Sequence, residues 1–113
     1  MTNDVLQRLA ATIKARRGET AANSYTRQLI DAGPERCARK LGEEATETVI
    51  AALGADPEAL TREAADLVYH LLVLLECRQV AWGDVLAELE RRTGTSGVAE
   101  KAARAKPDPQ AGP

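Results

Sequence analysis

Phenylalanine is absent from this 113-residue sequence, tryptophan occurs once and tyrosine twice. A core without large rings must be built from Leu, Val, Ile and Ala, which favours helix packed on helix. Histidine also occurs once and cysteine twice. That leaves no His/Cys cluster of the kind zinc requires. Cys37 and Cys77 lie far apart without metal-type spacing and read as buried free thiols of a cytosolic protein. Long apolar runs are missing too. The longest, Leu67 to Leu75, is interrupted by His70 and falls far short of the ~20 residues of a membrane span. Charge of one sign does not dominate: the formal net charge is −2, with acids and bases interspersed. A nucleic-acid-binding protein would show a basic face, and none is present. The opening MTNDVLQRLA has no signal-peptide pattern, so the expected location is cytoplasmic.

What is present is helical periodicity throughout and β-like alternation nowhere. Leu6, Leu9, Ala10 and Ile13 mark a first helix that stops near Gly18. Residues 19–24 form a polar connection. Ser24 is placed to cap a short helix through Tyr25, Leu29 and Ile30, ending at Gly33. Pro34 opens the next helix, whose apolar set is Cys37, Leu41, Ala45, Thr48, Val49 and Ala52, with Gly54 as the stop. Asp56-Pro57 restarts the chain as an N-cap followed by Pro at the first helical position. Leu60, Ala64, Leu67, Val68, Leu71, Leu72, Leu74 and Leu75 carry that helix to about Gln79. It becomes apolar nearly all round, as in the centre of a bundle. Val85, Leu86 and Leu89 mark a last helix, closed by two arginines and a glycine. The expectation is an all-α chain of four to five helices. It has one domain over residues 1–97 and a flexible tail over 98–113 rich in Ala, Pro and Lys. The two longest helices, joined by a short loop, should be antiparallel neighbours.

Residues 41–50 carry three glutamates on an otherwise buried helix, and the wheel separates them. Glu43 points almost away from the apolar centre. Glu44 lies at the edge of the buried stripe and Glu47 further round on the same flank, with Lys40 one turn before Glu44. The next helix repeats the device with Glu63 and Asp66, again three residues apart beside the apolar stripe. Glu47 and Glu63 are centred on residue 55, the middle of the turn, and so are Glu44 and Asp66. An antiparallel hairpin therefore sets Glu47 level with Glu63, and Glu44 level with Asp66. Four converging carboxylates repel, and a bound cation relieves that repulsion. Oxygen-only ligands suit Mg²⁺, Mn²⁺ or Ca²⁺, and Mg²⁺ commonly completes its shell with substrate phosphate. A di-iron bundle would need Glu-x-x-His on two helices. The single His70 excludes that, and reads as a histidine bonded beside the acidic patch or satisfied in the core.

The pattern E-E-x-x-E (Glu43, Glu44, Glu47) followed by E-x-x-D (Glu63, Asp66) resembles the signature of the all-α nucleotide pyrophosphohydrolases, the MazG-like superfamily. The stretches SYT (24–26), KLGEEATETVIAA (40–52), EAADLVYHLLVLL (63–75), DVLAELERR (84–92) and SGVAEKAAR (96–104) look closely like the phosphoribosyl-ATP pyrophosphohydrolase family, over roughly residues 4–104. Small departures, Gly83 and Ala81 at the start of the last helix, touch helix stability only. The resemblance implies Mg²⁺-dependent hydrolysis of phosphoribosyl-ATP to phosphoribosyl-AMP and pyrophosphate, the second step of histidine biosynthesis. Mn²⁺ is a possible substitute. It also implies that Glu44, Glu47, Glu63 and Asp66 are the metal ligands and act catalytically through a metal-activated water. Lys40 would contact a phosphate, unless it only pairs with Glu44. Ser24, Tyr25 and Thr26 would line the substrate pocket, though Ser24 alone reads as a cap. Superfamily members assemble as dimers or larger, so a homodimer completing the bundle is expected, as is a stand-alone hydrolase rather than a fusion. The carboxylates alone do not separate this activity from a general NTP or dNTP pyrophosphatase. A non-enzymatic helical dimerisation module with an acidic face is the remaining alternative.

Overall fold

A computed structural model describes residues 4–19 and 24–93. Most of the expected polar connection (residues 20–23) and the whole of the expected flexible tail (98–113) lie outside the described residues. Among the described residues five helices follow in order: α1 Val5–Arg16, α2 Tyr25–Ala32, α3 Pro34–Leu53, α4 Pro57–Cys77 and α5 Trp82–Arg92. There is no strand among the described residues. The all-α expectation holds, and so do most of the punctuation signals.

Local chemistry explains the helix ends. The Ser24 hydroxyl accepts from the Arg27 N–H at 3.1 Å, which makes it the N-cap of α2. Gly33 closes α2 at φ +97°, a conformation that a side chain would strain. Pro34 then starts α3 where its missing N–H costs nothing. The Asp56 carboxylate accepts from the Glu58 N–H at 3.0 Å, and Pro57 opens α4. The far end of α4 comes two residues earlier than the apolar pattern implies. Gln79 adopts φ +57°, and the Val80 N–H reaches back to the Leu75 carbonyl at 2.8 Å. This return bond satisfies an end carbonyl and terminates the helix.

The helices α3 and α4 form an antiparallel hairpin about a three-residue turn. Thr48 meets Glu63 near the turn, and Cys37 meets Cys77 at the far end. Helices α1 and α2 pack on this hairpin. The buried core is Ile13, Leu29, Ile30, Cys37, Leu72 and Val73, with Leu9, Val68, Leu74, Leu75 and Trp82 against it. Arg17 at the end of α1 donates to the Glu76 carbonyl at 2.6 Å and to its carboxylate at 3.1 Å, fixing α1 to the end of α4. Arg27 on α2 donates to the Arg17 and Glu19 carbonyls, tying α2 to the same corner. The cysteines are free thiols, as read from sequence; Cys37 is buried and Cys77 half-buried.

One expectation about packing fails. The sequence puts Val49 and Ala52 on the buried face of α3, but both are exposed, and Glu44 is buried instead. The reason is where α4 docks. It lies along the flank that holds Glu44 and Thr48, so the face of Val49, Ile50 and Leu53 is left open among the described residues. Helix α5, taken by itself, is amphipathic, and its Glu88 is bracketed by Arg91 and Arg92 at 2.8 and 3.2 Å.

Candidate metal centre

The hairpin brings carboxylates from its two helices together. Oxygens of Glu44, Glu63 and Asp66 lie within 4.8 Å of one another. Glu44 is buried, Glu63 half-buried and Asp66 exposed, so the cluster runs from the inter-helix seam out to solvent. One oxygen each of Glu44 and Glu63 is buried without a hydrogen-bond partner. A buried carboxylate oxygen without a donor is costly. Burial, then the Glu47 carboxylate, then Asp66, push the Glu44 carboxyl above its ordinary range. Burial, then Glu47 and Asp66, do the same to Glu63. Glu47 is thus a close neighbour of both, although it is exposed and stands outside the tight trio. The donor set fits a hard divalent cation: all ligands are oxygens, they converge, and two are orphaned in a way that a cation would satisfy.

The remaining residues picked out from sequence divide by environment. The Lys40 Nζ lies 3.2 Å from Glu43 and 3.9 Å from Glu44. Its bond to Glu43 is the first cause of a raised pKa, followed by the nearby Tyr25 phenol. The ammonium therefore sits at the rim of the cluster. Tyr25 is half exposed, and its ring stands edge-on to His70 with centroids 6.3 Å apart. Ser24 and Thr26 are buried. Ser24 caps α2, and the Thr26 hydroxyl lies 2.5 Å from the Tyr69 hydroxyl. Of the three, Tyr25 is the side chain presented outward.

Two participants carried weak signals in the sequence. His70 is buried, with its Nε2 3.8 Å from the Glu44 carboxylate. Burial first, then the Lys40 charge, lower its pKa, so the imidazole is neutral at neutral pH and the contact is not an ion pair. Its signal was being the only histidine, placed one turn after Asp66. Thr48 reads as an apolar-stripe position, yet its hydroxyl bonds backbone carbonyls on both helices. The signal was a hydroxyl where valine would pack equally well.

Comparison with known proteins finds relatives over most of the chain. The family model described as phosphoribosyl-ATP pyrophosphohydrolase matches residues 6–93. A protein of Cereibacter sphaeroides named phosphoribosyl-ATP pyrophosphatase is 56% identical over 100 residues, covering 88% of this chain and 97% of that protein. Proteins of the same name from Dinoroseobacter shibae and a Jannaschia species are each 57% identical, over 88% of this chain and 98% and 97% of theirs. The matched span runs through all five helices and every carboxylate of the cluster, so the chain belongs to the phosphoribosyl-ATP pyrophosphohydrolase family.

Proposed function

We propose that this chain hydrolyses phosphoribosyl-ATP to phosphoribosyl-AMP and pyrophosphate, the second step of histidine biosynthesis, with Mg²⁺ as the working ion and Mn²⁺ able to replace it. Family membership supports the activity. The observation that carries the site is the pair of buried, unpartnered carboxylate oxygens on Glu44 and Glu63, beside Asp66. Glu44, Glu63 and Asp66 would hold the ion, with Glu47 on the solvent side as the fourth carboxylate. When bound, the ion polarises the phosphoanhydride and makes water a stronger acid.

The chain's own residues do the rest. The packed hairpin fixes the carboxylates in advance, so little ordering is needed on binding. Lys40 keeps its proton and offers N–H donors to a phosphate at the rim, exchanging its exposed pairing with Glu43 for the substrate. Tyr25 presents a ring face and a phenol beside Lys40, suited to a ribose or base. Ser24 and Thr26 support this by holding the start of α2 in place rather than by touching substrate. The neutral His70 packs against Glu44 and adds no charge to the cluster. A second copy of the chain would cover the open face of Val49, Ile50 and Leu53, which are 59%, 64% and 84% exposed. No helix among the described residues is long and apolar enough to cross a membrane, and a cytoplasmic setting fits the reaction.

Pyrophosphate release from phosphoribosyl-ATP, dATP, dUTP and dCTP, with and without Mg²⁺, tests the reading. Phosphoribosyl-ATP should be turned over far faster than the others, and only with the ion. Equal or better turnover of ordinary nucleotides would assign the chain to nucleotide-pool cleansing. Indifference to Mg²⁺ would remove the metal.

A further inference from the structure

Thr48 stands one turn after Glu44 on α3 and level with Glu63 on α4. Its hydroxyl lies 2.7 Å from the Glu44 carbonyl and 3.1 Å from the Glu63 carbonyl. The hydroxyl has a single proton to donate, shared between the two. The first contact is the ordinary return bond of a helical threonine to the carbonyl four residues back. The second crosses to the other helix. The two residues whose backbones it touches are the two whose side chains hold the buried, unpartnered oxygens. Carboxylates this close repel across the seam, and the crossing bond holds the helices together at the height where that repulsion acts.

We propose that Thr48 is a positioning residue for the cation site: by joining the backbones of Glu44 and Glu63, its hydroxyl sets the span between their carboxylates and so the affinity for the divalent ion. This rests on reading the cluster as a cation site. The bond is one step removed from the ion, as are the outer hydrogen bonds that orient metal ligands elsewhere. A methyl group in place of the hydroxyl keeps the volume and the packing stripe but removes the bond. The helices then relax apart at the level of the ligands, and the set that fits the cation best becomes less populated.

The test is calorimetric titration of the full chain with MnCl₂, without nucleotide, for wild type, Thr48→Val, Thr48→Ser and Glu63→Gln, with the melting temperature of each measured in chelator. Thr48→Val should lose about tenfold in Mn²⁺ affinity, the scale found for outer-shell changes. Thr48→Ser, which keeps the hydroxyl, should restore the affinity. A Thr48→Val protein that melts lower but binds Mn²⁺ as wild type does would reduce the residue to packing and overturn the proposal. Loss of affinity in Thr48→Ser equal to that in Thr48→Val would also overturn it, because the hydroxyl would then be irrelevant. Glu63→Gln separates the two readings. If it binds Mn²⁺ as wild type does, the cation site falls, and the clamp with it. If it loses binding while Thr48→Val keeps it, the clamp alone falls.

Discussion

Glu44 on α3 and Glu63 on α4 face each other across the hairpin, and each buries a carboxylate oxygen that no donor reaches. Neither helix gains from this arrangement alone. Burial first, then the Glu47 and Asp66 carboxylates, hold both carboxyls above their ordinary value, and crowded like charges oppose the packing that brings them together. The proposed cation between them would make the arrangement favourable.

The pH dependence of stability follows from that pair. Both carboxyls sit above their ordinary range in the folded chain. Between the unfolded and folded pKa values the folded state binds more protons, so stability falls as pH rises through that window. Without divalent ions the protein should therefore melt lower at pH 7 than near pH 4.5 through these two groups. The lowered pKa of His70 acts with the opposite sign and erodes stability as pH falls below about 6.5. Mn²⁺ at about 100 times its dissociation constant should raise stability by ~2.7 kcal/mol, or roughly 10 °C in melting temperature. At one fixed Mn²⁺ concentration the rise should be larger at pH 7.5 than at pH 5. A rise independent of pH would separate the ion from these carboxyls.

Replacing one of the proposed ligands by its amide removes charge but little volume. Glu63→Gln and Glu47→Gln should each lower kcat at least ~100-fold, since several kcal/mol of charge stabilisation is lost. Both should remain folded, and Glu63→Gln should melt higher than wild type in chelator because repulsion is relieved. Wild-type rates in both variants would show that the carboxylates are not ligands. Circular dichroism melts alongside the kinetics make the comparison.

Glu43 provides the control on the same turn of helix. It is exposed and pairs with Lys40 at 3.2 Å, a pairing of the kind worth about 0.2–1 kcal/mol. Glu43→Gln should change kcat by less than about threefold, within the energy of such a pair. Lys40→Met, in contrast, should raise KM more than it lowers kcat if the ammonium grips a phosphate in ground and transition states alike. A collapse of kcat with unchanged KM in Lys40→Met would instead place the charge in the transition state alone.

The open face of α3 predicts the assembly. Ile50→Asp with Leu53→Asp should convert the protein from a dimer to a monomer in sedimentation velocity at micromolar concentration. Neither residue belongs to the carboxylate cluster. If wild type and variant sediment identically, another surface forms the dimer, or none does.

Helix boundaries were legible because short-range chemistry writes them. Ser24, Gly33-Pro34 and Asp56-Pro57 act within a turn of their own position, and the structure uses each as its type suggests. The register of the hairpin was legible for a related reason. A three-residue turn between two long helices leaves one way to fold back, so positions equidistant from it meet. That Glu47 neighbours Glu63, and Asp66 neighbours Glu44, follows from counting.

Which flank of α3 meets α4 was not written locally. Val49 and Ala52 are as apolar as the residues that are covered, and Glu44 is less so, yet Glu44 is buried and they are exposed. The inward turn of the Thr26 hydroxyl toward Tyr69, the burial of His70 against Glu44 and the Thr48 hydroxyl's shared hydrogen bond to two backbone carbonyls also depend on partners far along the chain. The helices, their order and the hairpin that pairs the acids follow from the order of residues alone, because they depend on propensity, capping and turn length. Which carboxylates are desolvated follows from the packing of the helices, because burial depends on how two helices rotate against each other, and the wheel leaves that angle free.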